Sequence, residues 1–356
     1  VSSLSVLSAT LNVEREQKIM TPESSVKIYR GDYLEAVHQV AIAVVDAKGE
    51  LTHYLGDPSA SFMARSSIKP FQLMPMLLSG AADKFGFNDE QLAVMCGSHS
   101  GSDSHVNVVR SNLSLAGNGP EHLKCGCHWP IWMQADGIYP THAEDKDPVR
   151  HNCSGKHSGF LAQARFLGDE IGEYLNPQSK TQTLVRENIG NYCEYDLSQV
   201  TPGIDGCSAP NYPLPVRQLA LGFKKLASAE GSDAKVGSTV KRIRDAVFTH
   251  PFMVSGEKRF DYDLMRSFPN NVICKIGAEA IEAIGFGEPT IGICVKILDG
   301  NTRALGPVCV EVLKQLGLMG NIDRFPHLKR HERPVILNNR DLETGHIVVD
   351  FQLKKA

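Results

Sequence analysis

Residues 26–55, VKIYRGDYLEAVHQVAIAVVDAKGELTHYL, decide the fold class. Two short alternating segments, 26–30 and 34–38, flank Gly31 and Asp32, the pattern of a β-hairpin. Residues 39–46 follow as a β-branched run bounded by Ala47, Lys48 and Gly49, and 51–55 form the next strand. The far end of the chain repeats the signal. Residues 291–298 run into Asp299-Gly300-Asn301 and then 302–305, which predicts another hairpin. Residues 347–353 alternate like a last strand. Between these ends, apolar residues recur at helical spacing over 70–82, 89–96, 105–116, 157–167, 178–192, 216–227 and 236–247, and again over 307–316. The pattern predicts an α/β (α+β) domain over 25–355. Its antiparallel sheet draws on both termini (25–56 and 288–354) and is flanked by helices, with the helical middle (66–285) forming a lobe. Residues 1–24 carry little pattern and read as an N-terminal tail.

The composition is that of an ordinary globular protein: 42% hydrophobic, 22% charged and a net charge of -3 over 356 residues. Such a balance argues against a nucleic-acid partner, which calls for a basic surface. No apolar run approaches the roughly 18–20 residues of a membrane helix. The start of the chain lacks the basic region of a signal peptide. Nine cysteines, an odd and scattered set, do not form a disulfide scaffold, so the expected compartment is cytoplasmic and the thiols reduced.

Several stretches carry residue types suited to chemistry. Ser66-Ser67-Ile68-Lys69 fits S-x-x-K, in which a lysine one turn after a serine can take its proton. The same spacing occurs at Ser24/Lys27, Ser232/Lys235, Ser238/Lys241 and Ser255/Lys258, but only the first leads straight into an apolar helix with a proline in its first turn. Cys96-Gly97-Ser98-His99-Ser100-Gly101 is a small polar loop after a helix, placing Ser98 and His99 where a site mouth would be. Lys275 sits where an apolar segment meets Gly277. Cys153 and Lys156 share a face near a helix start, and Cys207 lies in a Gly-flanked loop beside Asp205. Two cysteines and a nitrogen donor suit a soft cation such as Zn²⁺, although without a C-x-x-C pair the spacing fits two buried thiols as well. Cys125-Gly126-Cys127-His128 reads as loop packing.

Taken together, RSSIKPFQ (65–72), SGAADKFGF (79–87), CGSHSG (96–101), HNCSGKHSGF (151–160), GIDGCSAPNYPLP (203–215), KIGAEA (275–280) and DGNTRA (299–304) resemble, in this order, the rhizobial-type, thermolabile L-asparaginases, also called class 3 or the asparaginase II family. The resemblance spans nearly the whole chain. It implies a fold like that of serine β-lactamases and bacterial glutaminases, L-asparagine as substrate, and a homodimer. It implies two Ser–Lys pairs, Ser66 with Lys69 and Ser98 with Lys275, and a zinc ion held by Cys153, Lys156 and Cys207. Asp205, Arg65 and His157 match residues beside that site; they are assigned to substrate binding together with His99, which the polar loop alone suggests and which as a residue type could also serve as a base. Ala280, Ile276, Gly97 and Ser102 depart from the common pattern without touching these groups.

The expected chemistry is nucleophilic attack on a carboxamide, loss of ammonia and hydrolysis of an acyl-enzyme to aspartate. Sequence does not decide which serine attacks; Ser66 is favoured, with Ser98 and Lys275 relaying protons. The metal is expected to position substrate rather than generate hydroxide. A glutaminase and another β-lactamase-like serine acyl hydrolase stand as alternatives.

Overall fold

The computed structural model of the protein describes residues 25–138 and 146–356; the expected N-terminal tail lies outside the described residues. A single long strand, Tyr33–Val45, organises the sheet. Its first half pairs with Ser25–Arg30 through the turn at Gly31 and Asp32, with Gly31 at φ +55°. Its second half pairs with Ile291–Ile297 on one side and Leu51–Leu55 on the other. The expected separate strands 34–38 and 39–46 are therefore continuous, since no glycine or proline interrupts the chain between them. Val40 to Val45 are all buried, which explains why this half reads as an unbroken apolar run rather than an alternation.

The strands follow the order Val272–Gly277, Ile281–Phe286, Ile291–Ile297, Tyr33–Val45, Ser25–Arg30, Glu343–Asp350 and Ile336–Leu337, while Leu51–Leu55 and Lys354–Lys355 pair beside the long strand. Every pairing is antiparallel. The two termini meet as expected, Ser25–Arg30 lying against Glu343–Asp350. Two details correct the expectation. The sheet reaches back to Val272, so the helical middle ends before 285. These two strands carry Lys275 and Glu282 inside buried runs, which obscures the strand pattern. The hairpin at Asp299-Gly300-Asn301 does not form, because Ile291–Ile297 already has a partner on each edge. Gly300 turns the chain at φ +78°, and Asn301 accepts a hydrogen bond from the Arg303 amide, starting a turn that runs into the helix Leu305–Gln315.

The helices match the periodic segments closely: Lys69–Leu78, Asp89–Cys96, Asp103–Leu115, Ser154–Leu167, Lys180–Tyr192, Val216–Ser228 and Ala234–Thr249. Lys69–Leu78 packs against Lys180–Tyr192, Ser154–Leu167 and Asp89–Cys96, forming the lobe. No helix among the described residues is long and apolar enough to cross a membrane.

Val216–Ser228 lies on the sheet at a saddle made by two glycines. Gly285 and Gly292 are register partners on neighbouring strands. A Cβ on Gly285 would stand 2.1 Å from the Phe223 carbonyl oxygen, and one on Gly292 would stand 2.0 Å from that of Ala220. The helix backbone approaches the sheet too closely for any side chain between them. Gly292→Ala is expected to destabilise the protein by about 1–3 kcal/mol, the usual range for overpacking a closed interface. Thermal or urea unfolding measures it, and an unchanged transition would show that the helix can back away freely.

Candidate active site

The site begins at a strained turn. Arg65 has φ +52°, the left-handed region that a β-carbon disfavours. Asn211 holds it there from both sides: its Oδ1 accepts from the Arg65 amide at 2.9 Å, and its Nδ2 donates to the Arg65 carbonyl at 3.1 Å. Gly277 makes room for the turn, since a Cβ on it would lie 2.8 Å from the Ala64 carbonyl oxygen. Ser66 follows in the short turn Arg65–Ile68, half-buried, and its hydroxyl makes no hydrogen bond among the described residues. The helix Lys69–Leu78 then carries Lys69 inward, with Pro70 in its first turn.

Lys69 is fully buried. Its Nζ donates to the Gly97 carbonyl at 2.5 Å, to Ser98 Oγ at 2.9 Å and to the Asn152 carbonyl at 3.3 Å. The loop that supplies two of these partners is placed by the helix Asp89–Cys96, whose start is fixed by a capping box between Asn88 and Gln91. Burial pushes the Lys69 amine down to about 8; the charges of Lys275 and Lys156 act the same way, against Cys153 and Cys207. Ser98 is buried, and its own amide is already donated to the Val254 carbonyl at 2.8 Å.

One serine–lysine hydrogen bond joins the four expected groups, and it runs between the two expected pairs. Lys69 bonds Ser98, while Lys275 donates to the Ile276 carbonyl at 2.7 Å and to Asp261 Oδ2 at 3.4 Å. Among the described residues neither lysine bonds Ser66, and Lys275 does not bond Ser98.

Asp205 stands between the Ser66 turn and the Cys207 loop. Its Oδ1 accepts from Arg65 Nε at 2.9 Å and from the Gly206 amide at 2.7 Å, and its Oδ2 from Asn211 Nδ2 at 3.3 Å. Cys153, Lys156 and Cys207 are each at most 4% exposed, with Lys156 Nζ 3.1 Å from Cys207 Sγ. A hydrogen bond from Cys153 holds Cys207 far below the usual thiol range, aided by the Lys156 charge, and the same bond together with burial drives Cys153 well above it. Burial opposes the Lys156 ammonium, but the two sulfurs outweigh it and raise its pKa.

The two histidines are inward-facing. His99 Nδ1 accepts from the Gly101 amide at 3.2 Å, and its Nε2 meets Ser154 Oγ at 2.9 Å. Both nitrogens are engaged, and burial keeps the ring neutral by holding its pKa well below 6.5. His157 Nδ1 meets the Tyr174 hydroxyl at 2.7 Å, and burial lowers it to about 4. His128 bonds the Trp129 carbonyl and Asn152, consistent with loop packing around Cys125 and Cys127.

Four residues escaped the sequence: Asn211, Asn152, Asp261 and Glu282. Asn211 lies inside one of the quoted blocks, yet nothing in its type marks a backbone clamp. Glu282 left one signal, a carboxylate within the apolar run IEAIGF. Asp261, Cys274 and Glu282 are all buried and place one ligand atom each within 4.8 Å of one another, a spacing that could hold a metal. Surface clefts lined by Glu194 and Asp196, and by Arg244 and Asn271, contain none of the groups described above.

A comparison with curated proteins gives no match. The model of the L-asparaginase II family matches residues 26–349, a span that holds the strained turn, Lys69, Lys275 and the segments carrying Cys153 and Cys207. The chain belongs to the L-asparaginase II family, a family of amidohydrolases.

Proposed function

We propose that this chain hydrolyses L-asparagine to L-aspartate and ammonia through a seryl acyl-enzyme, as a cytoplasmic homodimer with a serine β-lactamase/glutaminase-like fold. Family membership supports the reaction. The antiparallel sheet with its helical lobe supports the fold, and nine unpaired cysteines accord with a reducing compartment. The observation that carries the mechanism is Lys69, a buried amine held against a serine hydroxyl with its pKa near 8.

Lys69 in its neutral form has two N–H groups and one lone pair. The Gly97 and Asn152 carbonyls take the two N–H groups, so the lone pair faces Ser98 Oγ. Ser66 is the nucleophile because it alone of the two serines is partly open to a substrate. Its proton passes to Lys69 with Ser98 as the relay, while its Oγ bonds the carboxamide carbon. As the tetrahedral adduct collapses, the carbon–nitrogen bond breaks. The proton held at Lys69 reaches the leaving nitrogen, and ammonia departs. Water then attacks the ester carbon, the Ser66 ester bond breaks, and the proton returns to Ser66. Lys275, held against Asp261, stabilises the negative charge of the adduct. Arg65 and Asp205 meet the charged ends of the amino acid, with His99 and His157 as neutral supports.

Cys153, Lys156 and Cys207 fit zinc: two sulfurs and an amine, buried together, with the Cys207 thiol held below its usual range. Loading the site displaces the Cys153 and Lys156 protons, so occupancy rises with pH. When bound, the ion supplies positive charge for gripping the substrate carboxylate.

Ser66→Ala is expected to lower kcat by more than about 10³-fold, and Lys69→Met by about 10²-fold or more, in an ammonia-release assay. Near wild-type turnover by either variant would remove that residue from the mechanism. Glutamine, one methylene longer, is expected to react more slowly than asparagine, and equal turnover would contradict the substrate assignment. Cys207→Ser, or chelation, is expected to raise KM about tenfold, the equivalent of about 1.4 kcal/mol, with a smaller effect on kcat. A collapse of kcat at constant KM would contradict a positional role for the metal.

A further inference from the structure

Behind Lys275 lies a buried charge cluster that the acyl-transfer scheme does not use. Val272–Gly277 is the outermost strand of the sheet on its side, so the Ile276 backbone would face an open edge. Asp261, at the start of the helix Phe260–Ser267, closes it: its Oδ2 accepts from the Ile276 amide at 3.2 Å and from Lys275 Nζ at 3.4 Å. Lys275 Nζ in turn donates to the Ile276 carbonyl. Lys275, Asp261 and Glu282 are 0%, 1% and 0% exposed.

The carboxyl oxygens left over are the informative ones. Asp261 Oδ1 and both oxygens of Glu282 are buried without a hydrogen-bond partner among the described residues. Two buried carboxylates side by side with three unsatisfied oxygens would be severely destabilising. A single proton between them removes one charge and pairs two of the three oxygens. Burial, and after it Asp261, drives the Glu282 pKa well above the carboxylate range, in agreement with this arrangement. The spacing alone would also admit a metal ion. Against that, Cys274 donates to the Asp261 carbonyl at 3.4 Å, burial holds its thiol protonated, and Lys275 already brings positive charge. The other charged or titratable groups facing the pair are Arg259, which bonds the Ser98 carbonyl at 2.9 Å, and the buried thiols Cys294 and Cys309.

We propose that Asp261 is the positioning residue of Lys275, and that one proton bridges Asp261 and Glu282 so that the pair presents a single negative charge to the lysine. The cluster also reaches the other half of the site, since Arg259 ties it to the Ser98 backbone. This inference rests on the role given to Lys275 under Proposed function.

The test compares wild type with Asp261→Asn, Glu282→Gln and Lys275→Met in pH–rate profiles for asparagine, with unfolding curves as a check. Asn at 261 can still accept from the Ile276 amide, so a purely structural edge cap would leave the profile in place. Positioning predicts a fall in kcat of about 10²-fold, the scale of a misplaced catalytic group. Losing a negative neighbour makes an ammonium release its proton at lower pH, so the alkaline limb is expected to move down by about one pH unit or more. Glu282→Gln, which replaces a neutral acid by a neutral amide, is expected to keep both kcat and the limb. Should Glu282→Gln move the limb as Asp261→Asn does, or Asp261→Asn move nothing, the proposal is overturned. An infrared difference spectrum, wild type minus Glu282→Gln, tests the proton even if Asp261→Asn fails to fold: the carbonyl band of a protonated carboxylic acid is expected, and its absence, or a stoichiometric metal lost with Glu282, refutes the shared proton. An active Lys275→Met would instead refute the catalytic role of Lys275, leaving the infrared result to judge the pair by itself.

Discussion

Lys69 is buried with two carbonyls and a hydroxyl around its amine and, among the described residues, no carboxylate in hydrogen-bonding reach. A buried ammonium without a paired carboxylate is unfavourable, and burial therefore lowers the pKa of the amine to about 8. The amine a base needs is therefore produced by the fold itself. Everything else in the site arranges partners around that fact. The capped helix Asp89–Cys96 delivers Gly97 and Ser98, the start of Ser154–Leu167 delivers Asn152, and the strained turn at Arg65 presents Ser66 one turn before the lysine.

The second lysine lives under the opposite rule. Lys275 is as deeply buried, but Asp261 faces it. The two lysines differ in their company: carbonyls and a hydroxyl around Lys69, a carboxylate beside Lys275. The cysteine pair is divided in a similar way: the bond between them lowers the pKa of Cys207 and raises that of Cys153. Asn211 joins the regions by bonding both the Arg65 backbone and Asp205, which ties the Ser66 turn to the loop carrying Cys207.

Much of this was legible in the residues. Helices with a regular apolar stripe, such as Val216–Ser228, announced themselves, and so did the terminal strands with Gly31 at the turn. Val272–Gly277 and Ile281–Phe286 did not, because Lys275 and Glu282 break their apolar runs for the sake of a buried charge cluster. The Asp299-Gly300-Asn301 turn failed as a hairpin signal because pairing depends on which edges are free, a property of the whole sheet. Ser66, Lys69, Ser98 and the two-cysteine set were visible as types and spacings. Which serine a lysine bonds was not, since Lys69 and Ser98 meet across 29 positions of chain. Asn211 was invisible for a different reason: its work is done on backbone groups, which leave no trace in residue type.

The central claim, that burial lowers the Lys69 pKa far enough for the amine to serve as a base near neutral pH, can be measured without turnover. An NMR titration of lysines labelled at the carbon bonded to Nζ, assigned by comparison with Lys69→Met, follows each amine directly. The account predicts one resonance, missing from the variant, that titrates near pH 8 in place of the usual 10.5. A Lys69 resonance that stays protonated up to the ordinary lysine range would contradict it.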